Sequence, residues 1–322
     1  MMRFSLLLAA AGIALGGPSI ASADTNDIII SRLATRIEDN SGNLTRVVGQ
    51  NLEFRSLASQ LGVVLAPHLM TPADTIGFGG FQFSVDYAMT TIDSGASYWR
   101  AREDQGGGDS LTTVGLFARK GLWFPVPSFE IGIGAVHLAQ SQIWTGQMYA
   151  KIGVVEGYHQ LPIPSVSVRG AVSRMMEQRD LDLTIASLDV LVSKHIGIGG
   201  TWGLDPYAGW NLLMIIPRSD VIDPTPNVDD TVPGNEMDAN NNFVFREQDT
   251  IYRNRFMLGA KLKYYFFHLT LEAQFALKGS SKDDRAGTNT ACLANSQTAN
   301  CDSTDQAKAQ RTLSLSAGFD FF

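Results

Sequence analysis

The sequence predicts an all-β chain that closes into an antiparallel transmembrane β-barrel of about ten strands, preceded by an N-terminal helical segment. Three observations carry this. Apolar and polar residues alternate, segment after segment, through residues 74–322. Beyond the amino-terminal leader no apolar run reaches the roughly 18 residues of a spanning helix. The connections between alternating segments are long on one side and short on the other.

The leader comes first. Arg3 gives a basic start, Leu6 to Leu15 an apolar stretch, and Ala21-Ser22-Ala23 a small-residue cleavage pattern. Residues 1–23 read as a secretory signal peptide, with Asp24 the first mature residue and no cysteine placed to carry a lipid anchor. Residues 24–73 are helical in period. Ile28, Ile29, Ile30, Leu33 and Ile37 suit one face of a short helix starting near Asp27. After a polar break at 39–43, Val47, Val48, Leu52, Leu57, Leu61 and Val64 predict an amphipathic helix over 44–66, which Pro67 and Pro72 end. Its apolar stripe suits a membrane surface or a partner better than a charged lumen, and Arg46, Glu53 and Arg55 suit an interface.

From Thr75 the period becomes two. Phe81, Phe83, Val85, Tyr87 and Met89 alternate with Gln82, Ser84, Asp86, Ala88 and Thr90, after a bend at Gly79-Gly80. The pattern returns at 110–122, 128–140, 142–155, 164–175, 181–194, 201–216, 250–266, 268–278 and 310–322. Each stretch suffices for a tilted strand of about 9–11 residues to cross a bilayer. If every strand reverses the chain, the long polar connectors 91–110, 217–249 and 279–309 all fall on one side. Tyr98, Trp99, Trp123, Phe124, Trp144, Trp202, Tyr264, Tyr265, Phe266 and Phe267 lie near strand ends, where aromatic rings meet both lipid and water.

The last strand carries Leu313, Leu315, Ala317, Phe319 and Phe321 on one face and ends at Phe322. It resembles the C-terminal strand of bacterial outer-membrane β-barrel proteins. The resemblance implies that Phe319, Phe321 and Phe322 form an assembly signal. It also implies residence in the bacterial outer membrane, contact with its lipids and lipopolysaccharide, and insertion by the outer-membrane assembly machinery. Residues 24–73 would then be a lumen plug, a periplasmic or membrane-surface segment, or the site of a periplasmic or membrane protein partner. Both chain ends would be periplasmic and the long connectors external. With a net charge of −7 and no Lys/Arg block, nucleic acid is not an expected partner.

Alternation points Asp86, Arg119, Glu130, Lys151, Arg169, Asp189, Arg255, Lys261, Lys263 and Glu272 into the lumen. In a barrel this small they form either a paired ionic core or a narrow polar conduit. The expected function is therefore a narrow or closed polar lumen, serving a structural or interaction role or passive small-solute transport. The alternative is a lipid-modifying hydrolase or acyltransferase. His137 and Ser141, at a predicted strand rim, are its one candidate pair, but no third group is evident, and no catalytic residue is assigned. No cofactor is expected, and no metal site. The acidic residues Asp220, Asp223, Asp229, Asp230, Asp238 and Asp249 lack the spacing of a calcium loop.

Cys292 and Cys301, the two cysteines, sit in a polar stretch of an exported chain and are expected to form a disulfide. Reduction should change the mobility of intact exported protein. Two titratable thiols on protein taken from an oxidising compartment would contradict the pairing.

Overall fold

The computed structural model describes residues 24–38, 40, 44–125, 128–156, 163–225, 242–283 and 304–321. The leader 1–23, Cys292, Cys301 and Phe322 lie outside the described residues. The amino-terminal part begins with a 3-10 turn, Ile30–Leu33, followed by β1 (Ala34–Glu38) and β2 (Leu44–Gly49), which pair antiparallel. Helix α1 (Asn51–Val64) and an irregular stretch to Gly80 complete it. The short helix expected from Asp27 is instead a 3-10 turn followed by a strand, and the helix expected over 44–66 begins only at Asn51. The β-branched pair Val47-Val48 lies in β2, where it extends the chain.

The barrel strands are β3 (Phe81–Thr91), β4 (Ser110–Leu122), β5 (Phe129–Leu138), β6 (Trp144–Val155), β7 (Ser165–Met176) and β8 (Leu181–Ser193). A short β9 (Ile196–Ile198) leads into β10 (Trp202–Ser219), then β11 (Ile251–Tyr264), β12 (Phe267–Ala276) and β13 (Gln310–Phe321). Each pairs antiparallel with its neighbour, β10 bridges β8 to β11, and β13 returns to β3 with Phe321 opposite Phe81. The result is a closed barrel of 10 strands, with β9 paired only to the start of β10 and outside the ring. Closure leaves no unpaired edge, which is what hydrocarbon requires of a spanning sheet.

Burial is inverted relative to a water-soluble barrel. Along β3 the apolar residues Phe81, Phe83, Val85, Tyr87 and Met89 are exposed, while Gln82, Ser84, Asp86 and Thr90 are buried. Met148 and Ile152, Val168 and Val190, Phe256 and Leu258, and Leu313 and Leu315 extend the apolar exterior around the wall. Such an exterior facing water would be a large aggregation-prone patch; facing lipid it is the favourable arrangement. This is the architecture of a transmembrane β-barrel. Trp123, Phe124, Trp202, Tyr264, Tyr265, Phe266 and Phe267 ring the short-turn end and are exposed, as Trp144 is near the other. Tyr98 and Trp99 do not join this ring. They are buried in a 3-10 turn, Ser97–Ala101, and pack inward.

The described parts of the connectors 92–109, 220–250 and 277–309 share one end of the barrel. The amino-terminal part lies at that same end: the Asn26 N–H donates to the Gln140 carbonyl, Ile29 to Ala101, and Arg36 to Pro224. Phe321 lies at the opposite end, beside Phe81. The expectation that both chain ends share a side therefore fails. The chain makes one more crossing than the strands count, because it runs through the lumen before β3 begins.

Helix α1 sits inside the barrel mouth. Phe54, Leu57, Ala58, Leu61, Val63 and Val64 are buried against Leu111, Leu138, Leu183, Ile185, Leu213 and Ile215 from the strand ends. Full burial of each large apolar side chain contributes about 1.5–3 kcal/mol. The half of the lumen nearest the long connectors is thus mainly apolar, and it accepts the stripe that sequence reasoning assigns to a membrane surface or partner.

Gly62 makes this seating possible, since a Cβ there would stand 2.6 Å from Ile215 Cδ1. Gly62→Val should force helix and wall apart and cost about 1–3 kcal/mol. It should be read as a lower temperature for heat-induced unfolding in detergent. An unchanged temperature would mean that α1 does not pack on Ile215.

Candidate functional site: the occupied lumen

Below α1 the chain continues as residues 65–76, which form no helix or strand yet are mostly buried. A buried backbone without secondary structure must find hydrogen-bond partners elsewhere. Lumen-facing side chains supply them in descending order. The Leu65 carbonyl accepts from Gln147 Nε2 (3.3 Å) and Ser173 Oγ (3.0 Å), and the Pro67 carbonyl from Arg255 Nη2 (3.0 Å). The Leu69 carbonyl accepts from Arg119 Nη2 at 2.6 Å, and those of Pro72 and Asp74 from Lys151 Nζ at 3.2 and 2.9 Å. Amide groups are served too: Ala73 N–H donates to Ser193 Oγ (3.0 Å) and Ile76 N–H to Glu130 Oε2 (3.0 Å). Pro67 and Pro72 have no N–H and hold the chain extended.

Of the ten lumen positions read from alternation, nine are buried and Lys263 is partly exposed at the short-turn end. Three acid–base pairs form within that set: Arg119–Asp86 at 3.9 Å, Lys151–Glu130 at 3.1 Å and Arg169–Asp189 at 2.5 Å. The remaining members find other partners. Lys261 meets Asp320 at 2.9 Å, Lys263 meets Asp205 at 3.3 Å, and Glu272 accepts from the Tyr207 hydroxyl at 2.7 Å. Arg255 is held through Asn211, whose amide also reaches Asp189. Sequence reasoning misses Asp205, Asp320, Arg253 and His268, although they occupy inward positions of their strands. The alternation that singles out Lys261 also points Asp320 inward, but its neighbours Phe319 and Phe321 mark the apolar face more strongly.

A second polar cluster fixes α1 to the long connectors. Arg55 donates to the Asp249 and Lys282 carbonyls and to Ser281 Oγ, and Gln60 Oε1 accepts from Trp99 Nε1 at 2.6 Å. Ser59 Oγ donates to Asp305 at 2.5 Å and accepts from Arg253 at 2.7 Å. Burial pushes the Asp305 carboxyl above the ordinary carboxylate range, against the pull of Ser59 and Arg253. Arg55, which suits an interface in the sequence, is fully buried.

His137 and Ser141 are neighbours without forming a nucleophile–base pair. His137 Nε2 lies 2.8 Å from the backbone oxygen of Ser141, and the Ser141 hydroxyl donates to the Leu138 carbonyl. The imidazole packs at a tilt against Trp144, with ring centroids 4.4 Å apart. Among the described residues no group of three or more His, Cys, Asp and Glu side chains is arranged to hold a metal ion. Phe319 and Phe321 face outward at the short-turn end.

No family model and no curated protein matches the chain. Among solved structures it is similar to Ail, the attachment invasion locus protein of Yersinia pestis, at 11% identity and a TM-score of 0.27, over 76% of this chain and 99% of that one. It is also similar to Neisserial surface protein A, at 11% identity and a TM-score of 0.29, over 75% of this chain and 97% of that one. Ail in complex with the heparin analogue sucrose octasulfate gives 10% identity and a TM-score of 0.25. At these values the likeness carries nothing about function, and the class assignment rests on the closed strand order and the apolar exterior.

Asp189→Ala should leave Arg169 buried without its carboxylate and cost about 3–5 kcal/mol, as broken buried pairs do. Replacing both residues by apolar ones of similar volume should recover much of the loss. A single variant as heat-stable as the parent would show that the pair is not buried as described.

Proposed function

We propose that the protein is a closed outer-membrane barrel with a structural or interaction role, and that it is not an open solute channel. The observation that carries this reading is the occupied lumen. Residues 65–76 fill its half nearest the short turns, and α1 fills the half beneath the long connectors. A ten-strand barrel is only slightly wider than one filled by its own side chains, so an additional chain leaves no continuous aqueous path. Residues 24–76 act as a built-in plug on this reading, and residues 77–321 form the wall. The outer membrane is its location, with the long connectors at the cell surface and the short turns in the periplasm, the asymmetry usual for such barrels. Lipids and the acyl chains of lipopolysaccharide surround its exterior, and the assembly machinery inserts it. The interaction role belongs to the long connectors and the hairpin β1–β2, which form one surface with them. The enzyme reading has less support, because Ser141 has no base.

Purified protein in planar bilayers should be silent. Arg119→Ala, which frees the Leu69 carbonyl, should add brief openings as the segment loosens. Steady ohmic openings of the unsubstituted protein would overturn the closed-barrel reading in favour of passive transport.

A further inference from the structure

The geometry points to a barrel that carries its own amino-terminal segment across the membrane and displays it on the outer face, gripping the connecting chain by its backbone. The inference rests on the orientation proposed above, in which the long connectors are external.

The path of the chain is the first support. Gly79 and Gly80 lie at the short-turn end, where the Lys120 ammonium donates to the Gly79 carbonyl and Gly121 N–H to the Gly80 carbonyl. Ile76 meets Glu130 close to that end. Leu65 meets Gln147 and Ser173 in the opposite half. The described residues before Leu65 are then at the long-connector end. Asn26 bonds to the Ala139 and Gln140 carbonyls there, and Arg102 reaches the Asn26 side-chain oxygen at 2.5 Å. Arg32 meets Glu103 at 2.5 Å, and Arg100 meets Glu53 at 2.5 Å. Asp24 and Thr25 are exposed beyond these contacts.

The second support is what the lumen recognises. Its donors and acceptors address main-chain groups at Leu65, Pro67, Leu69, Pro72, Ala73, Asp74 and Ile76. Side-chain contacts are fewer than main-chain ones: Arg169 donates to Thr71 Oγ1 at 3.0 Å, Thr75 Oγ1 to Glu156 at 2.5 Å and Ser193 Oγ to Asp74 Oδ2 at 3.2 Å, while Leu69 and Ala73 pack on apolar wall residues. A conduit for a small solute would aim its polar groups at water and at the solute. One for polypeptide aims them at carbonyls and amides, which every chain presents. The ligand class of this lumen is an extended peptide, here the chain's own, and the displayed cargo is the segment ahead of α1, with Asp24 and Thr25 exposed at its start. A sequence joined ahead of Asp24 would be presented on the same face.

The test uses three full-length chains in whole cells. An epitope is inserted between Asp24 and Thr25, between Gln178 and Arg179 in an exposed turn at the long-connector end, or between Gly199 and Gly200 in an exposed turn at the other end. Each is scored only on barrel that resists unfolding in cold detergent. The expected result is full staining of the first two on intact cells, and staining of the third only after the outer membrane is breached. A 178/179 epitope that stains while the 24/25 epitope stays hidden overturns display and leaves the orientation standing. Staining of the 199/200 epitope alone on intact cells overturns both. Thr25→Cys, labelled on intact cells with a membrane-impermeant maleimide above the level of the unsubstituted chain, supports display without any insertion. Absence of labelling on intact cells, with labelling after breach, also overturns display.

Discussion

The structure depends on one requirement, that the carbonyls of residues 65–76 be satisfied away from water. The segment has no helix or sheet of its own, and each buried polar group left unpaired would cost about 1–3 kcal/mol. Arg119, Arg255 and Lys151 meet the requirement from three different strands. Their charges in turn require carboxylates, and Asp86 and Glu130 stand beside them on neighbouring strands. Buried ion pairs contribute little net stability, because desolvation offsets their attraction. Here their contribution is to hold long basic side chains in one geometry, so that the donors point at a backbone. The acid–base balance of the lumen is thus a consequence of what it contains.

The division of the lumen into two halves follows from the same occupant. A helix saturates its own backbone, so the half that receives α1 can be lined by Leu183, Ile185, Leu213 and Ile215. An extended chain does not, so the half that receives it brings Arg, Lys, Ser and Glu to its backbone, beside the apolar groups that pack on Leu69 and Ala73. The change from Val63 and Val64, buried among apolar groups, to Pro67, bonded to Arg255, marks the boundary.

The wall is legible in the sequence and the interior is not. All ten barrel strands follow from alternation, because lipid outside and protein inside impose a period of two on every strand, and the inward positions follow with them. Phe81 to Thr91 shows this at its clearest. The position of α1 is obscured by the premise that a barrel lumen is charged throughout. Leu181, Leu183 and Ile185 contradict that premise: they are apolar at inward positions near a strand's outer end and face neither lipid nor water. Read with Leu213 and Ile215, they describe an apolar socket that needs an apolar occupant. The path of 65–76 leaves a fainter trace, two prolines in a stretch with no period, which local propensity reads as a loop.

The seam between β3 and β13 has a meaning for the order of assembly. Its pairs, from Thr90 with Thr312 down to Phe81 with Phe321, join the first and last strands of the ring. A ring already sealed by backbone hydrogen bonds would have to be threaded by a chain that carries a helix and a hairpin at its leading end. Packed α1 alone measures roughly 10–12 Å across with its side chains, about the bore that so small a barrel offers. The amino-terminal segment therefore has to be in place before the ring closes, and it is the template that the wall encloses. Extracting that template afterwards means parting the seam, so the topology protects the finished barrel through a kinetic barrier in addition to its contact energies.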